Sequence, residues 1–259
     1  MSIAAIVDVC APEAGAMALA PLGHASALRR VLDRCAAIPG VDAIACILPD
    51  AAEFDAIAED ADHGDMLVLR GDRSDPLALC AAAATELDAE TVIYVGADRP
   101  FIDPALCSRV LSLLQEAEAD YSCNDLPASW PHGLDCEIFP ARLLHWADAL
   151  ANSPAQRARA TGWLRGNPDL RKANLTGPGG AFTHMRWLLQ WPEDLAFAQA
   201  VYAQMGERAA IASASEIAAV CLRRPDIPAL NAARSDTLRL KQTIRADVET
   251  APMSLGSVA

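Results

Sequence analysis

Short apolar runs alternate with helix-like segments through the first 119 residues, and this alternation restricts the possible folds more than any other feature of the chain. Strands are predicted at 3–9, 42–48, 66–69 and 91–95, and helices at 26–37, 51–61, 75–87 and 104–119. Parallel neighbouring strands need a crossover connection, which a helix provides, so repeated units of this kind form a parallel sheet covered by helices. The sequence therefore predicts an α/β fold with a mostly parallel central sheet.

The regular alternation stops near residue 121. A polar loop is expected at 122–131 and strands at 133–139 and 185–189, with helices at 140–151, 154–165, 192–205 and 213–224. Beyond residue 236 the chain is polar and has no clear period, which is typical of an arm or a frayed tail. The predicted organisation is one domain at 1–235, with an insertion at about 121–180, followed by a C-terminal arm at 236–259.

Charge and cysteine spacing exclude several classes of protein. The 259 residues carry a formal net charge of −13, which argues against nucleic acid or an anionic membrane as a partner. No stretch of about 18 apolar residues is free of charge, and no basic leader precedes the first strand, so neither a membrane span nor a signal peptide is expected. The eight cysteines show no metal-binding or Cys-x-x-Cys spacing, which predicts a reduced cytoplasmic protein with structural thiols.

Asp98 follows the apolar run 91–95 in the segment Gly96-Ala97-Asp98-Arg99-Pro100. Ligands of open α/β sheets gather beyond the carboxyl ends of the strands. A carboxylate at such an end often holds a divalent cation, which in turn holds phosphate. The alternative interpretation is that Asp98 caps the helix that begins near Pro104. Local sequence leaves both interpretations open.

Four polar motifs occur along the chain in a fixed order. They are Arg70-Gly71-Asp72, Gly96-Ala97-Asp98-Arg99-Pro100, Pro131-His132-Gly133-Leu134-Asp135-Cys136-Glu137 and Pro192-Glu193-Asp194-Leu195. In this order they resemble the CMP-sugar cytidylyltransferases (the acylneuraminate and Kdo cytidylyltransferases), and most of all the spore-coat-polysaccharide branch, of which the chain would be a divergent member. The segment 226–231 resembles a late element of the same family. The likeness covers about residues 1–231, and the third motif is the most specific.

The resemblance implies a three-layer, Rossmann-like nucleotide-diphospho-sugar transferase fold, usually dimeric, that uses Mg²⁺ to join CTP to a sugar acid. The products would be a CMP-sugar and pyrophosphate, and a homodimer would be organised around about 124–165. The implied roles are catalysis for Asp98; nucleotide binding for Gly15, Arg70, Gly71, Asp98 and Arg99; sugar binding for Asn124, His132, Gly133, Asp135, Glu137 and Arg157; and weak Mg²⁺ binding for Asp98 and Gln190. Asp135 and Glu137 would share one face of the predicted strand, although a solvated strand face would show the same alternation.

Three segments depart from the family pattern where that pattern handles phosphate and metal. The segment 10–28 contains no Lys or Arg, whereas the family has a basic, glycine-containing loop there. Gln190 stands where the family has its second metal carboxylate, and Arg157-Ala158-Arg159 stands where the family has Arg-Glu-His. A bound triphosphate would therefore lose charge-assisted hydrogen bonds, each worth about 1.5–3 kcal/mol.

Three functions remain open at this point. The first is a nucleotidyltransferase of surface-glycan biosynthesis, which would bind a CTP-like nucleotide and a small acidic sugar. The second is a catalytically weak or inactive homologue that binds nucleotide or sugar or acts as a scaffold. The third is a nucleotide-sugar-dependent glycosyltransferase of the related fold, which the lack of a second Asp between Asp98 and Asp103 weakens. The absent basic loop favours the second function over the first, and the intact Gly-Leu-Asp-x-Glu motif favours a retained sugar site.

Overall fold

The computed structural model describes residues 2–11 and 15–235, so the predicted arm at 236–259 lies outside the described residues. The strands are β1 (Ile3–Asp8), β2 (Pro21–Leu22), β3 (Ala25–Ser26), β4 (Ala43–Pro49), β5 (Leu67–Gly71), β6 (Thr91–Gly96), β7 (Tyr121–Cys123), β8 (Glu137–Pro140) and β9 (Lys172–Asn174). The α-helices are α1 (Ala27–Ala36), α2 (Asp55–Ala61), α3 (Pro76–Glu86), α4 (Pro104–Glu116), α5 (Arg142–Leu150), α6 (Pro154–Arg157), α7 (Gly162–Gly166), α8 (Pro192–Met205), α9 (Ala214–Arg223) and α10 (Asp226–Ala229).

The central sheet has the strand order β5-β4-β1-β6-β8-β7-β9. Strands β5, β4, β1 and β6 are parallel neighbours, and β7 and β9 are also parallel to each other. Strand β8 runs antiparallel to both of its neighbours, β6 and β7. The predicted mostly parallel sheet is confirmed. Because β8 is reversed, its first residue, Glu137, lies at the edge of the sheet where β1 and β6 end.

Successive side chains of the central strands pack into different apolar clusters, because neighbouring residues of a strand point to opposite faces of the sheet. On one face, Val7 and Val95 pack with buried residues of α1, α2 and α4. On the other face, Ile6 and Val92 pack with buried residues of α3 and α5. The molecule therefore has the three layers that were predicted. Burial on both faces also explains why these strands are continuous apolar runs in the sequence.

A third apolar cluster joins α8 and α9 to the beginning of α4. The rings of Phe101 and Phe197 meet edge to face in this cluster, with their centroids 6.1 Å apart. The backbone N–H of Leu189, just before α8, donates to the carbonyl of Asp98 at 2.9 Å. These contacts hold the segment that precedes α8 against the loop that follows β6.

The predicted strands at 133–139 and 185–189 differ from the structure. Only Glu137–Pro140 is a strand in the first segment. The residues before it form a loop, since Gly133 has φ +111° and turns the chain. The second segment is not a strand of the sheet, because its backbone pairs with the loop residue His132, which exchanges hydrogen bonds with Met185 and Trp187.

The helix predicted at 154–165 is two short helices, α6 and α7. The break covers 158–161; Thr161 in it and Gly162 directly after it stabilise a helix interior poorly. The eight cysteines are all free and buried, as expected of structural thiols. Within residues 2–11 and 15–235, no helix has both the length and the apolar character needed to cross a membrane.

Candidate active site at the ends of the central strands

Polar side chains gather where β1 and β6 end and β8 begins. The sheet register pairs Asp8 with Gly96, and Tyr94 with Glu137. Asp98 follows the end of β6 by two residues. From β1 the sheet continues to β4 on one side and to β6 on the other, and ligands of α/β sheets bind at such a switch point. We call the following residues the strand-end cluster: Asp8, Tyr94, Asp98, Arg99, Asp135 and Glu137.

Asp8, the last residue of β1, is buried and accepts hydrogen bonds on both oxygens. Tyr94 Oη donates to Asp8 Oδ2 at 2.5 Å, and the backbone N–H of Cys10 donates to Oδ1 at 2.6 Å. Burial raises the pKa of the Asp8 carboxyl above its ordinary value, nearby Asp98 adds to the rise, and the two hydrogen bonds offset it only in part. Asp8 therefore holds a proton more readily than an exposed carboxyl does.

Asp98 is held by an amide, where the family pattern has a second carboxylate. Gln190 Nε2 donates to Asp98 Oδ2 at 2.6 Å, and Gln190 Oε1 accepts from Arg186 Nη2 at 2.8 Å. The N-cap of α4 is Asp103, so the alternative interpretation of Asp98 as a helix cap is excluded. Asp98 is 8% exposed and belongs to the strand-end cluster.

A buried ion pair fixes the position of Gln190. Arg186 donates from Nε and Nη2 to the two oxygens of Asp194, at 2.8 and 2.9 Å, and both side chains are almost fully buried. Asn231 Nδ2 donates to Asp194 Oδ1 and to the carbonyl of Arg186, each at 2.9 Å. Asp194 Oδ2 also accepts from the backbone N–H of Gln190 at 3.1 Å. Since a buried ion pair is tolerated only when it is well hydrogen bonded, this network holds 186–194 as one unit.

Arg99 brings positive charge into the strand-end cluster. A Cβ on Gly96 would lie 2.7 Å from Asp98 Oδ1 and 3.1 Å from Arg99 Nη1, so the carboxylate and the guanidinium both lie beside this glycine. Burial acts to lower the pKa of Arg99, but Asp98 and the other acidic groups of the cluster outweigh it and raise that pKa above its ordinary value. The Nε and Nη1 atoms of Arg99 are buried and have no hydrogen-bond partner among the described residues. The guanidinium therefore retains unused donors.

The loop before β8 holds Asp135 beside His132. Asp135 Oδ2 accepts from the backbone N–H of Gly133 at 3.3 Å and lies 3.7 Å from His132 Nε2. A Cβ on Gly133 would lie 2.6 Å from the carbonyl carbon of Trp187, so the close approach of the two backbones requires glycine here. His132, Gly133 and Asp135 thus lie together, with Gly133 contributing through its backbone.

Glu137, the first residue of β8, is already neutralised. Arg165 Nη1 lies 3.1 Å from Glu137 Oε1, and Arg165 Nη2 lies 2.9 Å from Asp125 Oδ2. Tyr121 Oη donates to Glu137 Oε2 at 2.5 Å. Burial acts to lower the pKa of Arg165, but Glu137, Tyr121 and Asp125 outweigh it and raise that pKa well above its ordinary value. Both oxygens of Glu137 therefore have partners in the protein itself, a hydrogen bond from Tyr121 on Oε2 and an ion pair with Arg165 on Oε1.

Two residues expected in the sugar site have structural partners. Asn124 is fully buried, and its amide holds the loop before β8 by donating to the carbonyl of Leu134 at 2.8 Å and accepting from the N–H of Cys136 at 3.0 Å. Arg157 donates to Asp75 Oδ2 at 2.7 Å and to Asp148 Oδ1 at 2.5 Å. Within the described residues, neither side chain bonds to a side chain of the strand-end cluster. The structure thus gathers Asp135 and Glu137 near Asp98, and it connects Arg157 to α3 and α5.

The other residues expected to bind nucleotide lie near the ends of β1 and β5. Arg70 in β5 pairs with Asp55 at 2.7 Å and with Asp50 at 3.3 Å, so its charge is neutralised locally. A Cβ on Gly71 would lie 2.8 Å from a leucine side chain of α3, and one on Gly15 would lie 3.0 Å from a phenylalanine ring. Both glycines therefore permit close packing.

The resemblance implies Mg²⁺, but the donors around Asp98 do not fit a divalent cation. Mg²⁺ takes oxygen ligands, whereas Gln190 presents an N–H to Asp98 and its own oxygen is bound by Arg186. The guanidinium of Arg99 lies beside Asp98, and its positive charge would repel a cation there. Across residues 2–11 and 15–235, no group of three or more His, Cys, Asp and Glu side chains is arranged to hold a metal ion. Asp98 and Gln190 do come together, as a hydrogen bond between an amide and a carboxylate.

Four residues of this site escaped sequence reasoning: Asp8, Tyr94, Arg165 and Arg186. Asp8 could have been found, because it is a carboxylate at the end of an apolar run, as Asp98 is. Tyr94 was assigned to a buried strand, which concealed its hydroxyl group. The two arginines reach the site from distant segments and carry no local signal.

Comparison with protein families gives one match. The family model for the MobA-like NTP transferase domain matches residues 15–170, which is more than half of the chain and includes β4 to β8 with Asp98, Asp135 and Glu137. No curated protein is similar enough in sequence to match.

Solved structures show the same fold at low sequence identity. A cytidylyltransferase from Leptospira borgpetersenii serovar Hardjo-bovis has a TM-score of 0.78 and 17% identity, over 87% of this chain and 95% of that chain. The 4-diphosphocytidyl-2C-methyl-D-erythritol synthase of Anaerococcus prevotii has a TM-score of 0.55 and 16% identity, over 78% and 96%. A CMP:2-keto-3-deoxy-manno-octonic acid synthetase complexed with CTP has a TM-score of 0.53 and 14% identity, over 78% and 98%. At these identities the likeness establishes the fold.

Proposed function

The chain belongs to the family of MobA-like NTP transferase domains, and on that basis we propose that its strand-end cluster binds a cytidine nucleotide and a small sugar acid. The observation that carries the proposal is the convergence of Asp98, Asp135 and Arg99 at the switch point of the sheet, where two donors of Arg99 have no partner among the residues that the structure describes. Nucleotides bind at this point in α/β folds. The similarity in fold to cytidylyltransferases, one of them complexed with CTP, supports cytidine as the base.

The reaction proposed for this site joins the two ligands. A hydroxyl oxygen of the sugar acid attacks the α-phosphate of CTP, the bond between the α- and β-phosphates breaks, and pyrophosphate leaves with the bonding electrons. The proton of the sugar hydroxyl passes to a carboxylate of the strand-end cluster. Asp98 and Asp135 are the candidates for this step because both carboxylates are buried at the switch point of the sheet.

This reaction should run slowly or not at all. The segment 10–28 has no Lys or Arg to hold a triphosphate, and Gln190 offers no charge where the family pattern has a carboxylate. Both losses concern the same negative charge, which must be neutralised in the transition state. Together they should cost more than about 4 kcal/mol of transition-state stabilisation, or about a thousandfold in rate.

The finer assignment to surface-glycan biosynthesis rests on the motif around Asp135. Gly133, Asp135 and Glu137 retain the pattern of the spore-coat-polysaccharide branch, and all three lie beside Asp98 or in the loop and strand that lead to it. We therefore propose an acidic sugar of a surface polysaccharide as the second ligand, in a cytoplasmic protein.

Two measurements test the proposed function. Calorimetric titration with CTP, CMP and the other nucleotides, with and without Mg²⁺, should show binding of cytidine nucleotides in preference to the others. A pyrophosphate-release assay with CTP and a panel of sugar acids should show turnover far below about 1 s⁻¹, which is a modest rate for enzymes in general. Turnover near that rate would contradict the predicted deficit, and the absence of any nucleotide binding would contradict the proposed function itself.

A further inference from the structure

The orientation of the Gln190 amide is determined by its two neighbours. A guanidinium has only donors and an ionised carboxylate has only acceptors, so the amide oxygen must face Arg186 and the amide nitrogen must face Asp98. The observed contacts have this arrangement, at 2.8 Å to Arg186 and 2.6 Å to Asp98. The opposite orientation would place two donors together on one side and two acceptors on the other.

Turning the oxygen of Gln190 toward Asp98 would disrupt more than one contact. Arg186 is bonded through both Nε and Nη2 to Asp194, which is 0% exposed, and the bond from its Nη2 to Gln190 completes that arrangement. Asn231, two residues after α10, donates hydrogen bonds to Asp194 and to the backbone carbonyl of Arg186. The amide N–H is thus locked toward Asp98 by buried groups, and the one oxygen that could help to bind a cation is occupied.

Arg99 already supplies positive charge at the same carboxylate. Arg99 Nη1 and Asp98 Oδ1 both lie beside Gly96, since a Cβ built on that glycine would be 3.1 Å from the first atom and 2.7 Å from the second. Asp135 and Glu137 also act electrostatically on this guanidinium. Its Nε and Nη1 are buried without a hydrogen-bond partner among the described residues. Since buried donors are costly to leave unpaired, these N–H groups form a site for an anionic oxygen.

We propose that Arg99 and Gln190 take the place of a divalent cation in this site: they neutralise Asp98 from within the chain, and the unpartnered N–H groups of Arg99 bind an anionic oxygen of the ligand. The ligand group is a phosphate or a carboxylate, since both present oxygens to a planar guanidinium. That this oxygen comes from a nucleotide or a sugar acid rests on the proposed function. The exclusion of the cation does not.

Binding of Mn²⁺ to the full chain, without nucleotide, tests the first half of the proposal. Electron paramagnetic resonance of free Mn²⁺ should reveal no site tighter than about 1 mM that depends on Asp98. The double variant Arg99→Ala/Gln190→Asp should bind Mn²⁺ at least about tenfold more tightly than the wild type, because it removes the competing charge and adds an oxygen ligand. The control Arg109→Ala removes an exposed arginine of α4 and should leave Mn²⁺ binding unchanged. A tighter wild-type site that Asp98→Asn abolishes would overturn the proposal, as would a folded double variant with no gain.

Titration with anions in the presence of EDTA tests the second half. Pyrophosphate, CMP and N-acetylneuraminate are the probes, and at least one of them should bind the wild type. Arg99→Met should weaken that binding by about 10- to 100-fold, the loss expected for a charge-assisted hydrogen bond. Arg99→Lys should weaken it less, because the charge remains while the planar fork is lost, and Arg109→Met should leave it unchanged.

The outcomes separate this proposal from the proposed function. Binding of CMP or pyrophosphate identifies a phosphate as the ligand group, and binding of N-acetylneuraminate alone identifies a carboxylate. If pyrophosphate binds through Arg99 while neither CMP nor the sugar acid binds, the proposed function fails and the anion site stands. If none of the probes binds, or if the folded Arg99→Met variant binds as the wild type does, the anion site is refuted.

Discussion

Gly133 shows how a single residue determines the shape of the site. Its φ of +111° is one that L-residues with a side chain rarely adopt, and a Cβ would lie 2.6 and 2.7 Å from the carbonyl carbon and oxygen of Trp187. Gly133→Ala should therefore destabilise the protein by about 2–4 kcal/mol, measured by urea denaturation. It should also move Asp135, which accepts from the Gly133 N–H.

Gly166 provides the matched control for this substitution. It lies in α7, and a Cβ there would meet nothing within 4 Å. Gly166→Ala should change the free energy of unfolding by less than about 1 kcal/mol, and in the favourable direction if alanine's helix propensity decides the outcome. Equal effects of the two substitutions would show that the close contact with Trp187 is relieved without cost.

The raised pKa of Asp8 predicts a pH dependence with a definite sign. Because the folded protein holds this proton more tightly than the unfolded chain does, Asp8 lowers stability as the pH rises above the ordinary Asp value, and the loss persists at neutral pH. Asp8→Asn cannot ionise and keeps an oxygen that can accept from Cys10 N–H. Relative to the wild type, this variant should gain stability between pH 4 and pH 8 in urea denaturation.

Asp72 gives the control of opposite sign. Hydrogen bonds from the backbone and side chain of Ser74 lower the pKa of this exposed carboxyl. Its contribution to stability is therefore present above the ordinary Asp value and is lost as the pH falls through the lowered pKa. Asp72→Asn should lose stability relative to the wild type as the pH rises. A constant difference between Asp8→Asn and the wild type across this range would contradict the prediction for Asp8.

Asp103 accepts hydrogen bonds from the first turns of two helices, α4 and α9. Its Oδ1 accepts from the first turn of α4, at 2.8 and 3.1 Å, and its Oδ2 accepts at 2.6 Å from the N–H of Ala214, the first residue of α9. Asp103→Ala removes the cap of α4 together with the bond to α9, whose own N-cap is Ser213, and should cost about 2–3 kcal/mol in urea denaturation, since a single cap is worth about 1 kcal/mol. Asp103→Asn keeps one acceptor oxygen and should lose about half as much. If Asp103→Ala were no worse than Asp103→Asn, the hydrogen bond that the asparagine oxygen retains would contribute nothing.

The elements that sequence reasoning located are those with strong local signals. The strands β1, β4 and β6 are continuous apolar runs because they are buried on both faces, and α4 and α9 begin after Asp103 and Ser213, which cap them. Elements without such signals were misjudged. The segment 185–189 is apolar because Trp187 and its neighbours are buried in the third apolar cluster, which its sequence cannot distinguish from burial in a sheet.

In the candidate site too, the sequence located the residues with strong local signals and missed the contacts between distant segments. Asp98, Asp135 and Glu137 were expected to lie together, because the ends of strands and a specific motif indicate position. The partner of Gln190 could not be predicted, since Arg186 lies in irregular chain, where spacing in the sequence does not determine which side chains meet. Arg157 pairs with Asp75, the N-cap of α3, and with Asp148 of α5. These two contacts depend on how the helices pack, which the sequence does not indicate.

At the scale of the whole molecule, the site is built from two parts of the chain. The strand-end cluster, apart from Asp8, lies within the family match at 15–170, whereas Arg186, Gln190, Asp194 and Asn231 follow it. The later part reaches the site because α8 and α9 pack on the beginning of α4. A change at Gln190 can therefore alter the chemistry at Asp98 while the sheet and its strand ends stay as they are.

The surface of α5 provides a basis for the predicted homodimer. Trp146 and Leu150 are four residues apart on this helix, so they share a face, and they are 54% and 60% exposed. Large apolar side chains grouped on a surface often mark an interface. We propose that a second copy of the chain covers this face. Trp163, which was also expected there, instead packs against the core with α3 and α5.

Stable homodimers remain associated at about 10 µM. Light scattering at that concentration should therefore give a mass twice that of the 27.4 kDa monomer. Trp146→Glu/Leu150→Glu should produce a folded monomer, because two charges would have to be buried without partners. Ile211→Glu is the matched control, since Ile211 is 84% exposed and lies outside α5. A monomeric wild type would refute the homodimer. A double variant that stays dimeric while the control dissociates would move the interface to the surface around Ile211, where the C-terminal helices pack.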